Sequence, residues 1–99
     1  MNTCQKPVLV EIVARKKGCM LCNLAIGILE EISAEFDEGQ ITWEVVDLSD
    51  RVGLLRYDEL TSTCGRQPKV PSIIINNKIA FDQIPDMQSF TEAVNLASK

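Results

Sequence analysis

The chain of 99 residues contains no histidine. This excludes proton transfer by imidazole, histidine-activated nucleophiles and histidine metal ligands. Basic residues are also few, because ten Lys and Arg stand against fourteen Asp and Glu, for a formal net charge of −4. The one basic cluster is Arg15, Lys16 and Lys17. Nucleic-acid binding needs a clustered basic surface and is therefore not expected.

Long apolar runs are absent as well. No stretch approaches the roughly 20 residues that span a bilayer, and the start, MNTCQKPVLV, lacks the basic and then long apolar segments of a signal peptide. We therefore expect a cytoplasmic protein that makes no membrane contact. A 45% hydrophobic composition is typical of a globular protein. The length predicts a single domain over residues 1–99, with residues 1–6 as a short polar tail.

Four cysteines are present, and their spacing is uneven. Cys19 and Cys22 form a CxxC pair in KKGCMLCN, whereas Cys4 and Cys64 stand alone. In a reducing compartment, this spacing predicts that Cys19 and Cys22 form one functional pair and that Cys4 and Cys64 are free thiols. A structural zinc would need Cys4 and Cys64 as further ligands, and neither has a partner at the spacing of a zinc knuckle, so no metal site is expected. We interpret Cys64 as a small residue at a helix end, with a third redox thiol as the alternative.

Hydrophobic periodicity predicts seven elements in the order βαβαββα. The first strand–helix–strand unit implies parallel strands, and Asn76-Asn77 predicts a two-residue hairpin, which gives a four-stranded mixed sheet flanked by three helices. Gly27, inside the first helix, predicts close packing against a neighbour. The predicted strands cover residues 8–14, 41–48, 72–75 and 78–81, and the predicted helices cover 19–36, 50–65 and 87–97.

Cys19 falls where the first strand ends and the first helix begins, which is where αβ sheets gather their chemistry. A free cysteine with a pKa near 8.5 is only about 3% ionised at pH 7. The unpaired N–H groups of a helix start, with Lys16 and Lys17 nearby, are expected to lower the pKa of Cys19. Cys22, one turn further, is expected to stay a thiol. Cys19 is thus the predicted nucleophile that forms a mixed disulfide, and Cys22 resolves it.

Three segments carry a resemblance to a known family: GCMLC after a buried strand, VDLSD at the end of the second strand, and KVPSIIINNKIAF. Together they resemble the thioredoxin fold, in its short glutaredoxin-like branch, over nearly the whole chain. The resemblance implies a thioredoxin-like fold and a thiol-disulfide oxidoreductase that serves cell redox homeostasis. It also implies that Pro71 is a cis-proline beside the cysteine pair and that the Val70 backbone holds the substrate. The further residues expected at the substrate site are Lys17, Gly18, Met20 and Leu21.

Two departures from glutaredoxins bear on the partners. Met20-Leu21 replaces the usual Pro-Tyr, and FDQIPD stands where the glycine pair and acidic residues that hold glutathione would be, so glutathione use stays open. No organic cofactor is required, and the expected partners of a monomer are protein disulfide substrates and a reductase or low-molecular-weight thiol. Glu11 does not have the spacing of the buried thioredoxin acid. The alternative function is a non-catalytic binding module, or a metal or iron–sulfur carrier that uses the same cysteines.

Overall fold

A computed structural model describes residues 7–15, 20–36 and 39–98. The predicted order βαβαββα is confirmed, and most boundaries agree to within about one residue. The first helix is the exception, because it ends at Ser33 and a turn replaces the expected last turn of helix. None of the helices in these ranges is long and apolar enough to cross a membrane. The elements are β1 (Val8–Ala14), α1 (Met20–Ser33), β2 (Ile41–Asp47), α2 (Arg51–Cys64), β3 (Ser72–Ile75), β4 (Lys78–Phe81) and α3 (Met87–Ala97).

The four strands form one mixed sheet in the order β2-β1-β3-β4. β1 pairs parallel with β2 and antiparallel with β3, and β3 pairs antiparallel with β4. Asn76 and Asn77 have φ values of 49° and 67°, as the predicted tight hairpin requires. The Leu9 N–H donates to Asn76 Oδ1 at 3.0 Å and the Asn76 N–H donates to the Leu9 carbonyl at 2.9 Å, so this hairpin is joined to the start of β1. The chain is therefore an α/β domain with three helices and a four-stranded mixed sheet.

Helices cover both faces of the sheet, and each face has its own core. This explains the nearly continuous hydrophobicity of β1, whose alternate side chains enter opposite cores. The larger core lies under α1 and α3 and includes Val10, Ile12, Leu29, Ile32, Phe90 and Val94. The smaller core lies under α2 and consists of Val13, Val46, Leu60 and Ile74.

The glycine that requires close packing is Gly53, not Gly27. A Cβ on Gly27 would meet no atom within 4 Å, so the prediction made for Gly27 is wrong. A Cβ on Gly53 would instead overlap the carbonyl oxygen of Asp47, because α2 begins directly against the end of β2. The Gly53 N–H also donates to Oδ1 of Asp50, the N-cap, at 2.7 Å. The absence of a side chain at Gly53 therefore allows the helix to approach the strand.

Candidate redox site

Cys22 lies in the first turn of α1, beside the carboxyl end of β1. Its side chain is fully buried in the larger core, and its sulfur is disulfide-bonded. The Arg15 N–H, one residue beyond β1, donates to Cys22 Sγ at 3.4 Å. The predicted site residues Lys17, Gly18 and Cys19 lie outside the described residues. Cys22 thus lies in the first turn of the helix that follows β1, where the sequence pattern placed it.

The surface around the start of α1 is apolar. Met20 is 87% exposed and Leu21 is 58% exposed. Leu24, one turn further along the same helix, is also exposed. Monomeric proteins seldom expose clustered large apolar side chains without a binding role. This surface, Met20, Leu21 and Leu24, is called the α1 apolar patch below.

The α1 apolar patch is continuous with the segment that precedes β3. Leu21 lines an open groove together with Val70, Pro71 and Ile84, and Asp82 and Gln83 complete its lining. The Val70-Pro71 peptide bond is cis, as the resemblance implied. The structure therefore brings together three of the residues predicted at the substrate site, Leu21, Val70 and Pro71, although they are far apart in the sequence.

Two side-chain contacts hold the loop that carries Pro71. The Tyr57 hydroxyl donates to the Pro68 carbonyl at 2.7 Å, which ties the loop to α2. Arg66 Nη2 lies 2.9 Å from Asp82 Oδ1, which ties the loop to the segment after β4. Sequence reasoning assigned no such role to these residues, and no local pattern indicates it, because each contact joins residues more than ten positions apart.

Glu11 belongs to the opposite face of the sheet from Cys22. Its buried carboxylate accepts two hydrogen bonds of 2.7 Å from the Arg56 guanidinium on α2, one from Nε and one from Nη2. Cys22, in contrast, belongs to the core under α1 and α3. Glu11 therefore does not serve as a proton acceptor for the cysteine pair, in agreement with its unusual spacing.

Cys64 ends α2 as a free thiol. Its Sγ lies 3.4 Å from the carbonyl oxygen of Asn77, in the turn between β3 and β4. The hollow that it lines with Arg66 and Lys78 shares no residue with the groove at Pro71. This position agrees with the interpretation of Cys64 as a residue at a helix end. Cys4 lies outside the described residues, and no group of three or more Cys, Asp or Glu in the described ranges is arranged to hold a metal.

Comparisons with known proteins add information on the fold. The sequence matches no protein-family model and no curated protein. A solved structure described as "Structure of a malarial protein" is similar to this chain with a TM-score of 0.64, and the match covers 94% of this chain and 98% of that one. The two sequences are 18% identical, so the likeness concerns the fold alone.

Proposed function

We propose that this chain is a thiol-disulfide oxidoreductase of thioredoxin-like, glutaredoxin-like fold. The observation that carries the proposal is the position of Cys22: buried, disulfide-bonded, and in the first turn of the helix that follows the central strand. The groove formed by Leu21, Val70 and Pro71 supports it, because an extended substrate chain can lie there beside Leu21, the residue that precedes Cys22. The mixed sheet with three helices supports the fold part of the proposal.

The proposed reaction passes through a mixed disulfide. The Cys19 thiolate attacks one sulfur of a substrate disulfide, and the other substrate sulfur leaves as a thiolate that takes up a proton. Cys22 then loses its proton and attacks the Cys19 sulfur, which releases the second substrate thiol. Two electrons pass to the substrate, and the protein is left with a Cys19–Cys22 disulfide. A reductase or a low-molecular-weight thiol returns the electrons to the pair.

The Arg15 N–H has a part in the second step. As Cys22 loses its proton, negative charge develops on a sulfur that is buried among apolar side chains, where charge is costly. A backbone N–H directed at that sulfur stabilises the thiolate without any movement of the chain. The end of β1 thus favours the resolving step.

The α1 apolar patch supports protein disulfides as the substrates. Met20 and Leu21 are more exposed than a packing role requires, and exposed Val70 continues the surface across the groove. Burial of apolar area contributes about 25 cal/mol per Å², so a protein segment gains more here than a small, charged thiol would. The protein is proposed to act as a monomer and to need no organic cofactor.

Substitution of Cys19, Cys22 and Cys64 in turn tests the proposal. The reduced protein should reduce the disulfides of insulin, and Cys19→Ser should abolish this activity. Cys22→Ser should instead accumulate a mixed disulfide, visible as an added mass in the intact protein. Cys64→Ser is the matched control and should keep full activity. The pH dependence of alkylation should show a pKa of Cys19 below the ordinary value near 8.5.

Two results would contradict the proposal. One is a Cys19 thiol that alkylates with an ordinary pKa in a protein that reduces no disulfide. The other is stoichiometric zinc or iron–sulfur absorbance that is lost in Cys19→Ser, which would support the carrier alternative.

A further inference from the structure

The face of the sheet under α2 contains an open groove that the proposed redox chemistry does not use. Side chains of α2 line this groove together with residues of β1 and β2. Val52 is 77% exposed and Leu55 is 59% exposed. The full lining is Leu9, Glu11, Glu44, Val52, Leu55, Arg56, Glu59 and Asn77, and we call it the α2 groove.

The positive charge of the α2 groove is already fully engaged. The Arg56 guanidinium donates to Glu11 through Nε and Nη2, and Nη2 also donates to Asn77 Oδ1 at 2.7 Å. Nη1 lies 3.4 Å from Glu59 Oε1. The hydrogen bond to Glu11 raises the pKa of Arg56 above its ordinary value, so the group stays charged. Because internal acceptors occupy most of its five N–H donors, Arg56 does not offer a site for an anion.

The negative charge of the α2 groove, by contrast, is in excess. Glu44 lies on β2 beside Glu11 on β1, and its side chain faces solvent. Glu59 is 68% exposed and shares the single guanidinium with Glu11. Three carboxylates therefore face one cation, and two of them are accessible at the rim of an apolar surface. A ligand that complements this arrangement carries positive charge next to an aliphatic side chain.

We propose that the α2 groove is a docking surface for a partner protein, which it recognises through a short segment that combines leucine-like side chains with Lys or Arg. The aliphatic side chains contact Val52 and Leu55, while the cations lie near Glu44 and Glu59. The proposal is independent of the redox function, because Cys22 lies on the opposite face of the sheet. Both surfaces can therefore be occupied at the same time.

A second copy of the chain fits the α2 groove poorly. A two-fold dimer would bring the same patch of both copies together, so the acidic rims would face each other in a protein that already has a net charge of −4. Like charges brought together in this way oppose association. The charge pattern therefore favours a different, basic partner.

Fluorescein-labelled peptides of ten residues with alternating Lys and Leu provide the probe, and the matched peptide replaces each Lys with Glu. Anisotropy should show saturable binding of the Lys peptide, weakened by salt, and none of the Glu peptide. The double variants Glu44→Gln/Glu59→Gln and Val52→Ser/Leu55→Ser should each weaken binding about fivefold or more, equivalent to about 1 kcal/mol. Amide shifts in NMR spectra should map to α2, β1 and β2.

Controls use exposed residues outside the α2 groove. Glu30→Gln/Glu31→Gln on α1 makes the same charge change, and Leu96→Ser on α3 removes an equally exposed aliphatic side chain. Both should leave binding unchanged. Equal loss in these variants, equal binding of the Glu peptide, or no binding at 1 mM peptide (roughly the weakest affinity of interest) would overturn the proposal. Sedimentation that shows a dimer, and a monomer for Val52→Ser/Leu55→Ser, would also overturn the proposal, because it would assign the groove to a second copy.

Discussion

On one face of the sheet, α1 and α3 enclose a wholly apolar cluster, whereas on the other face α2 encloses a smaller cluster beside a buried ion pair. The first face also contains Cys22, and the second contains Glu11 with Arg56. The cysteine face excludes water from a sulfur that must change its charge during the proposed reaction. The α2 face keeps a permanent charge pair and an open, acidic groove. One small sheet thus separates the site of the proposed thiol chemistry from the proposed docking surface.

This difference has an energetic basis. Apolar packing is non-directional, and its contribution follows the area and volume removed from water. A buried carboxylate is tolerated only while its partner is in place, because the cost of desolvation is large. The α1 and α3 face should therefore respond to the volume of a substitution, and the α2 face to whether charge partners are retained.

The largest effect is expected from Phe90→Ala, in the core under α1 and α3. The Phe90 side chain is fully buried, with its ring centroid 6.1 Å from that of Phe81. The cavity and the lost transfer energy should lower the free energy of unfolding by about 4 kcal/mol. Leu60→Ala, in the smaller core under α2, should cost about 3 kcal/mol, and exposed Leu96→Ala less than about 0.5 kcal/mol. Urea denaturation measures all three, and equal costs for Phe90→Ala and Leu96→Ala would contradict the assigned core.

Gly53→Ala tests the contact between α2 and β2. A methyl group there would overlap the Asp47 carbonyl oxygen, so the helix must shift, with an expected cost of about 3 kcal/mol. Gly27→Ala is the matched control on α1, where a Cβ meets open space. It should stabilise the protein by up to about 1 kcal/mol through helix propensity. Thermal and urea unfolding of the two variants should therefore change in opposite directions, and destabilisation by Gly27→Ala would contradict the packing described.

Arg56→Met tests the ion pair of the α2 face. The substitution leaves the Glu11 carboxylate buried without a partner and should cost about 2 kcal/mol, less than a fully buried pair because Arg56 is partly exposed. The double variant Glu11→Met/Arg56→Met removes both charges and should recover most of the loss. Arg66→Met breaks the exposed pair with Asp82 and should cost less than about 0.5 kcal/mol. A double variant no more stable than Arg56→Met would show that the charges are not coupled.

The smallest effect concerns the N-cap of α3. The Asp86 carboxylate accepts a hydrogen bond of 2.7 Å from the Ser89 N–H, which lowers the pKa of Asp86 below its ordinary value of 3.8. Because the folded-state pKa is the lower one, this contribution to stability is present above pH 3.8 and is lost as the pH falls through the folded-state pKa. Asp86→Asn keeps the cap but should remove this part of the pH dependence of unfolding. If the stability of Asp86→Asn falls at low pH as steeply as that of the unsubstituted protein, Asp86 is not the group responsible.

Much of the fold was predictable, because it depends on local signals. A nearly continuous apolar run marked β1, the spacing of apolar residues marked α1, and Asn76-Asn77 marked the hairpin, since each pattern acts within a few residues along the chain. The N-caps Asp50 and Asp86 likewise act within the first turn of their helices. The local pattern does not decide which side chains of α1 are covered, and in the structure Leu21 and Leu24 are exposed.

The sequence by itself determined the order of the elements, the position of Cys22 at the start of a helix and the absence of histidine chemistry. Only the tertiary structure decided that Arg56 neutralises Glu11, that Tyr57 and Arg66 hold the Pro71 loop, and that Gly53 rather than Gly27 needs to lack a side chain. The physical reason is the range of the interactions involved. Backbone propensity and capping act within a turn or two, whereas ion pairs and close packing join residues that only the folded chain brings together.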